Sequence, residues 1–274
     1  MLFRVSPSGA VAIQWDFSGR SDGSNPVGGL LQGADGNLYG TNDLGGAFGW
    51  GVLFCFIPGG IPIGATRMNV LHDFDSPTGA SPQVTLLQHT NGKLYGDTAV
   101  GGSAGRGVFF SFDPGLGPFV RLLPGARRVG LSVKILGQGF TGATAVSFNG
   151  TPATFNVVSD TFLTAIVPGG ATSGLVTVTT PTGTLTSNRK FLVKPQIVGF
   201  SPAGASPGTS VVITGASLTQ TTTVTFKNVA ATEFSVDSDS QLTVTVPAGA
   251  TTGRIGVTTT GAPAYSAATF TVNP

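Results

Sequence analysis

The strongest constraint on this chain is that it writes the same line twice. "GNLYGTNDLGGAFGWGVLFCF" at 36–56 returns as "GKLYGDTAVGGSAGRGVFFSF" at 92–112. At an offset of 56 residues, Pro26 meets Pro82, Leu30 meets Leu86 and Leu38-Tyr39-Gly40 meets Leu94-Tyr95-Gly96. Val52, Phe54 and Phe56 meet Val108, Phe110 and Phe112. Fragments of the unit also lie ahead of the first copy: "LFRVSPSG" at 2–9 echoes "LFCFIPGG" at 53–60, and "WDF" at 15–17 echoes "HDF" at 72–74. A supersecondary unit repeated this way cannot bury its own faces and must pack on its neighbour.

Within each copy the apolar residues alternate. Val52, Phe54 and Phe56 point one way and Leu53 and Cys55 the other, which is the period of a β-strand. Asp35-Gly36 and Asn91-Gly92 precede a short aromatic strand and suit a type I′ hairpin turn, in which both residues take positive φ. Several short strands per unit are the pattern of a propeller blade or similar radial array. Two units are too few to close a ring of about four or more blades. The chain is therefore expected to be the tail of a longer repeat protein, or else its two units pack in another way; if the protein is exported, its leader is expected upstream of Met1 or outside this sequence.

A second repetition occupies the other half. "GLSVKILGQGFTGATAVSFNG" at 130–150 parallels "GTSVVITGASLTQTTTVTFKN" at 208–228. "FLTAIVPGGATSGLVTVTTPTG" at 162–183 parallels "QLTVTVPAGATTGRIGVTTTG" at 241–261. Apolar residues alternate with Thr along these segments, as in a sheet with one buried and one wetted face. Asn149-Gly150 is a ready two-residue turn. Short alternating strands with frequent turn signals predict Ig-like sandwiches. The fold class is thus all-β: a partial propeller-like array over 1–118, then Ig-like domains over 119–195 and 196–274.

Two family resemblances follow from these residues. "NPVGGLLQGADGNLYGTNDLGGAFGWGVLFCF" resembles the bacterial GloVer-type tandem repeat, with its Gly-Gly-Leu, Asp-Gly-Asn-Leu-Tyr-Gly-Thr and Gly-x-Val-Phe elements. It extends over about residues 1–115, and the second copy departs from it at "VTLLQHTNGKLYGDT". "IVGFSPAGASPGTSVVITGASL", with the stretch that follows it, resembles the IPT/TIG family of Ig-like domains. The first sandwich opens on the weaker "RLLPGARRVGLSVKILGQGF". Together these resemblances imply an exported or cell-surface bacterial protein in which such domains serve as spacer, adhesion or sugar-binding modules. The basic loops of the DNA-contacting relatives are missing.

Composition narrows the function. Charged residues make up 9% of the chain and the formal net charge is +2. The densest basic pairs are Arg127-Arg128 and Arg189-Lys190, too sparse to follow a phosphate backbone. Nucleic acid is therefore not an expected partner. No apolar run is long enough to span a bilayer as a helix, and a single cysteine, Cys55, rules out an internal disulfide.

Motifs that suggest chemistry lack their context. "GGSAG" at 101–105 fits a hydrolase nucleophile elbow, but Phe-rich strand residues follow Ser103 where a helix is needed. "GQGFTG" at 137–142 fits a dinucleotide loop, again ahead of a strand. His72 and His89 have no Cys or Glu at metal-ligand spacing, and Cys55 corresponds to Ser111 in the other copy. Asp16 and Asp73 suit turn capping. Asp35 pairs with Asn91 like a turn residue, and Asp237 and Asp239 lack the other carboxylates of a calcium loop. The expectation is no catalytic residue, no metal site and no cofactor.

What remains is an aromatic platform. Trp50, Tyr39 and Tyr95 are the candidates for stacking on a sugar. The chain is expected to be a non-enzymatic structural, adhesion or binding segment, with carbohydrate or another extracellular protein as partner. The alternatives are a carbohydrate-binding accessory region of a larger secreted enzyme and an extracellular structural protein that self-associates through edge strands.

Overall fold

The computed structural model describes residues 1–59 and 66–274. Every regular element among them is a β-strand. The chain divides into two compact units, Met1–Pro118 and Phe119–Pro274.

The first unit is a stack of three sheets. Strands β1 (Leu2–Val5) and β2 (Val11–Trp15) form a hairpin. Strands β3 (Leu31–Gln32), β4 (Leu38–Asn42), β5 (Val52–Phe56) and β6 (Met68–Asp73) form an antiparallel sheet in that order. Strands β7 (Leu87–Gln88), β8 (Leu94–Asp97) and β9 (Phe109–Phe112) form a third. The registers reproduce the repeat: Leu31 faces Tyr39 and Tyr39 faces Cys55, as Leu87 faces Tyr95 and Tyr95 faces Ser111. Phe3 faces Ile13 and Val5 faces Val11, as Phe54 faces Val70 and Phe56 faces Met68. The hairpin is thus the counterpart of β5–β6.

Alternation along β5 feeds two cores. Val52, Phe54 and Phe56 pack with Leu2 and Met68, joined by Trp15 and Phe17 from the hairpin side. Leu53 and Cys55 pack with Tyr39, Leu86 and Leu94, joined by Phe110 and Phe112 from the next sheet. All five β5 residues are buried. The turn before β4 differs from the type I′ expectation. Positive φ falls on Gly36 (85°) and Gly92 (91°), not on Asp35 or Asn91. The Gly36 N–H donates to the Gly33 carbonyl, and Asp35 Oδ1 accepts the Asn37 N–H. Asp35 keeps ordinary backbone geometry because its side chain is used to cap the turn.

The second unit holds two sandwiches with separate cores. In the first, a sheet of Arg121–Leu123, Ser132–Leu136, Phe162–Ile166 and Phe155–Ser159 faces one of Thr151–Ala153, Ala145–Phe148, Val176–Thr180 and Gly183–Thr186. The second repeats this strand order, with Ser210–Ala216 and Gln241–Thr245 central in one sheet and Thr221–Phe226 and Ile255–Thr259 in the other. Valines, leucines and phenylalanines fill both interiors. Phe148 and Phe191 meet edge to face at 5.1 Å, and their counterparts Phe226 and Phe270 at 5.0 Å. At Asn149-Gly150 both residues take positive φ, 47° and 92°, and Phe148 pairs with Thr151 across the turn. The sandwiches meet at a polar seam. The Ser173 N–H and the Thr260 hydroxyl both donate to Gln220 Oε1, at 2.7 and 2.8 Å.

Candidate functional site

The loop 43–51, between β4 and β5, is built by glycine and pinned by a carboxylate. Gly45, Gly46, Gly49 and Gly51 all take positive φ. The Gly51 N–H donates to the Gly45 carbonyl at 2.9 Å, the Gly46 N–H to the Arg20 carbonyl at 2.7 Å, and the Ala47 N–H to Asp73 Oδ1 at 2.6 Å. The Trp50 carbonyl accepts the Ser81 N–H at 2.9 Å. On this frame stand Leu44, Phe48 and Trp50, exposed by 46%, 60% and 44%. Two large aromatics held out to water on a tethered loop can stack on the apolar face of a ring.

The three sequence candidates do not meet. Tyr39 is 3% exposed and lies in the core between sheets. A buried ring offers no face to a ligand. Burial, then the hydrogen bond from its hydroxyl to Asp35 Oδ2 at 2.9 Å, holds its ionisation above the ordinary phenol range. Its counterpart Tyr95 is only half-buried. It lines an open groove of about 490 Å³ with Val84, Leu87, His89 and Phe109, its ring 6.0 Å from Phe109 at 24°. Phe48 was not legible as a candidate by type alone. The available signal was comparison of the copies, where Ala104 and Arg106 stand in place of Phe48 and Trp50.

The motifs set aside in the sequence have structural partners. The "GQGFTG" loop gives its Gly139 and Thr141 N–H groups to the Asp160 carboxylate. Ser103 lies in an exposed turn closed by the Gly105 N–H on the Gly102 carbonyl. Asp237 accepts from Ser235, Gln241 and Thr243, whereas Asp239 accepts from Ser217 and Thr219. Among the described residues no group of three or more His, Cys, Asp or Glu is gathered as metal ligands. His72 packs edge-on to Phe74 and His89 to Tyr95. Asp73 caps the 43–51 loop, whereas Asp16 lines a polar recess with Trp15, Asp22 and Asp73.

Two groups here give checkable behaviour. Cys55 is 7% exposed and burial pushes its thiol pKa up. Since the thiolate is the reactive form, native chain treated with maleimide at pH 8 is expected to stay unlabelled by mass spectrometry, and to label fully in denaturant. Burial raises the Asp22 pKa, but hydrogen bonds from the Ser18 hydroxyl and N–H and the Trp15 indole outweigh it together, so it lies below the ordinary 3.8. A depressed carboxylate stabilises the fold above its unfolded value and loses that contribution as pH falls through its folded one. In a Trp50→Phe background, Trp15 emission is expected to change with pH with a midpoint below 3.8. A midpoint above that pH would contradict the assignment.

The model of the Gloeobacter/Verrucomicrobia repeat matches residues 1–132, and that of the IPT/TIG domain matches 126–192 and 195–272. No curated protein matches the chain. Among solved structures, SGBP-B from a xyloglucan utilization locus of Bacteroides uniformis is 20% identical, with 56% of this chain and 48% of that chain covered and a TM-score of 0.28. The surface glycan-binding protein PbSGBP-B of Prevotella bryantii is 16% identical, with 56% and 41% covered and a TM-score of 0.39. The plexin A4 extracellular region is 17% identical, with 56% and 18% covered and a TM-score of 0.29. This chain spans half or less of the length of each of these proteins. No helix among the described residues is long and apolar enough to cross a membrane. With two Ig-like sandwiches under one model that spans more than half of its residues, and the repeat model on the sheet stack ahead of them, the chain belongs to the IPT/TIG domain family and carries a Gloeobacter/Verrucomicrobia repeat region.

Proposed function

We propose that this chain is a non-catalytic binding segment of an exported or cell-surface bacterial protein, in which the loop 43–51 takes a carbohydrate and the sandwiches serve as spacers. The observation that carries the proposal is the pair Phe48 and Trp50, large aromatics left 60% and 44% exposed on a loop tied down by Asp73. Pre-tethering lowers the entropy a ligand must remove on binding. The residues common to both copies serve turns and packing, so a binding role falls on positions where the copies diverge, and Phe48 and Trp50 are two of these.

Affinity electrophoresis against soluble β-glucans, xylans and mannans tests this. At least one polysaccharide is expected to retard the chain. Trp50→Ala and Phe48→Ala are each expected to weaken that retardation about tenfold or more, in line with aromatic anchors at other interfaces, with thermal unfolding unchanged. Retardation that survives both substitutions, or none across the panel, would overturn the assignment.

A further inference from the structure

The internal interface between the two repeats shows what each face of a sheet in this stack is built to meet. One face of the β3–β6 sheet carries Leu31, Tyr39 and Leu53, and the third sheet covers it with Leu86, Leu94 and Phe110. There Tyr39 is 3% and Leu53 0% exposed. The opposite face carries Phe54, Phe56, Met68 and Val70 and is covered by the hairpin. Phe54, Phe56 and Met68 there are 1%, 1% and 7% exposed.

The same two faces recur uncovered. On the third sheet, Leu87, Tyr95 and Phe109 occupy the positions of Leu31, Tyr39 and Leu53, yet Leu87 and Phe109 are 58% and 74% exposed. On the hairpin, Phe3, Val5, Val11 and Ile13 occupy the positions of Phe54, Phe56, Met68 and Val70, and are 54%, 52%, 66% and 61% exposed. Strand register fixes these equivalences, and the side chains are apolar at both ends. Contiguous exposed apolar surface of this kind marks an interaction site. One chain thus carries both halves of an interface that it already makes internally.

We infer that the Phe3, Val5, Val11 and Ile13 face of one chain docks on the Leu87, Tyr95 and Phe109 face of a second copy, continuing the sheet stack from chain to chain. The contact joins unlike faces, so it is heterologous, and it yields a ring where the rotation closes and an open chain where it does not. Tyr95 and Phe109, with Leu87 and Val84, form the receiving groove. The inference does not rest on carbohydrate binding, because the residues involved lie outside the 43–51 loop.

Sedimentation velocity and light scattering on the 274-residue chain, over about 1 to 100 μM, the range of weak specific contacts, test it. Ile13→Asp damages one face and Phe109→Asp the other. Both residues are exposed, so the fold of each variant is expected to be intact by circular dichroism and thermal melting. The wild-type mass is expected to rise with concentration. Each variant alone is expected to stay monomeric, its dissociation constant raised at least about tenfold by a charge set in an apolar contact. Mixed in equal amounts, the variants are expected to form a dimer that grows no further, because only one intact pair of faces remains. A monomeric wild type, association by either variant alone, or no dimer in the mixture would each overturn the inference.

Discussion

Phe270→Ala is expected to remove about 3–5 kcal/mol from the stability of the second sandwich, the cost of deleting a fully buried phenyl ring. Phe270 is 0% exposed and meets Phe226 edge to face at 5.0 Å and Phe200 at 5.8 Å. Its loss leaves a cavity bounded by rigid sheets on both sides, which collapse poorly around it. The first sandwich has a separate core, centred on Phe148 and Phe191. Calorimetry should therefore show one transition moving down by more than about 10 °C, as expected for a domain of this size, while the other holds its place. Phe191→Ala should move the other transition by a similar amount. If both transitions moved together in either variant, the two cores would be energetically one.

Gly51→Ala is the second large effect, and it separates stability from binding. Gly51 takes φ +99°, and a Cβ there would lie 2.4 Å from the Asn42 carbonyl oxygen, 2.7 Å from Pro82 Cδ and 2.9 Å from the Asp43 carbonyl oxygen. Those carbonyls belong to β4 and the loop itself, so nothing flexible can move aside. Backbone strain of about 1–3 kcal/mol and overpacking of about 1–3 kcal/mol give an expected loss of about 2–6 kcal/mol for the first unit by denaturant unfolding. Gly51 also donates to Gly45 and accepts from Phe74, so the frame that presents Trp50 shifts with it. Polysaccharide retardation should therefore fall although both aromatic side chains remain. Retained stability would mean that the 43–51 loop can relax away from β4.

Much of this architecture is written in local pattern. The alternation of Val52, Phe54 and Phe56 against Leu53 and Cys55 specified a strand with two apolar faces, and β5 is buried on both. Asn149-Gly150 specified a tight turn, and both residues take positive φ. Asp35-Gly36 carries a similar signal and yields a different turn, because the Asp35 side chain binds Asn37 and Tyr39 instead of letting its backbone adopt positive φ. Dipeptide preference reports an average over contexts, and here a neighbouring donor decided the outcome.

The candidate site was less legible. Tyr39 and Tyr95 stand at the same position of the same repeat, yet one is sealed in the core and the other borders an open groove. Phe48 and Trp50 stand on a loop pinned by groups distant from it in sequence: the Asp73 carboxylate, the Arg20 carbonyl and the Ser81 N–H.

By itself the sequence determined the strands, their two-sided apolar faces and the pairing of like units, since these depend on side-chain alternation and turn chemistry within a few residues. Only the tertiary structure decided which faces are covered and which are left to water. Burial belongs to whatever packs on a surface, and two residues in identical local contexts differ in it as soon as one of them has a neighbour.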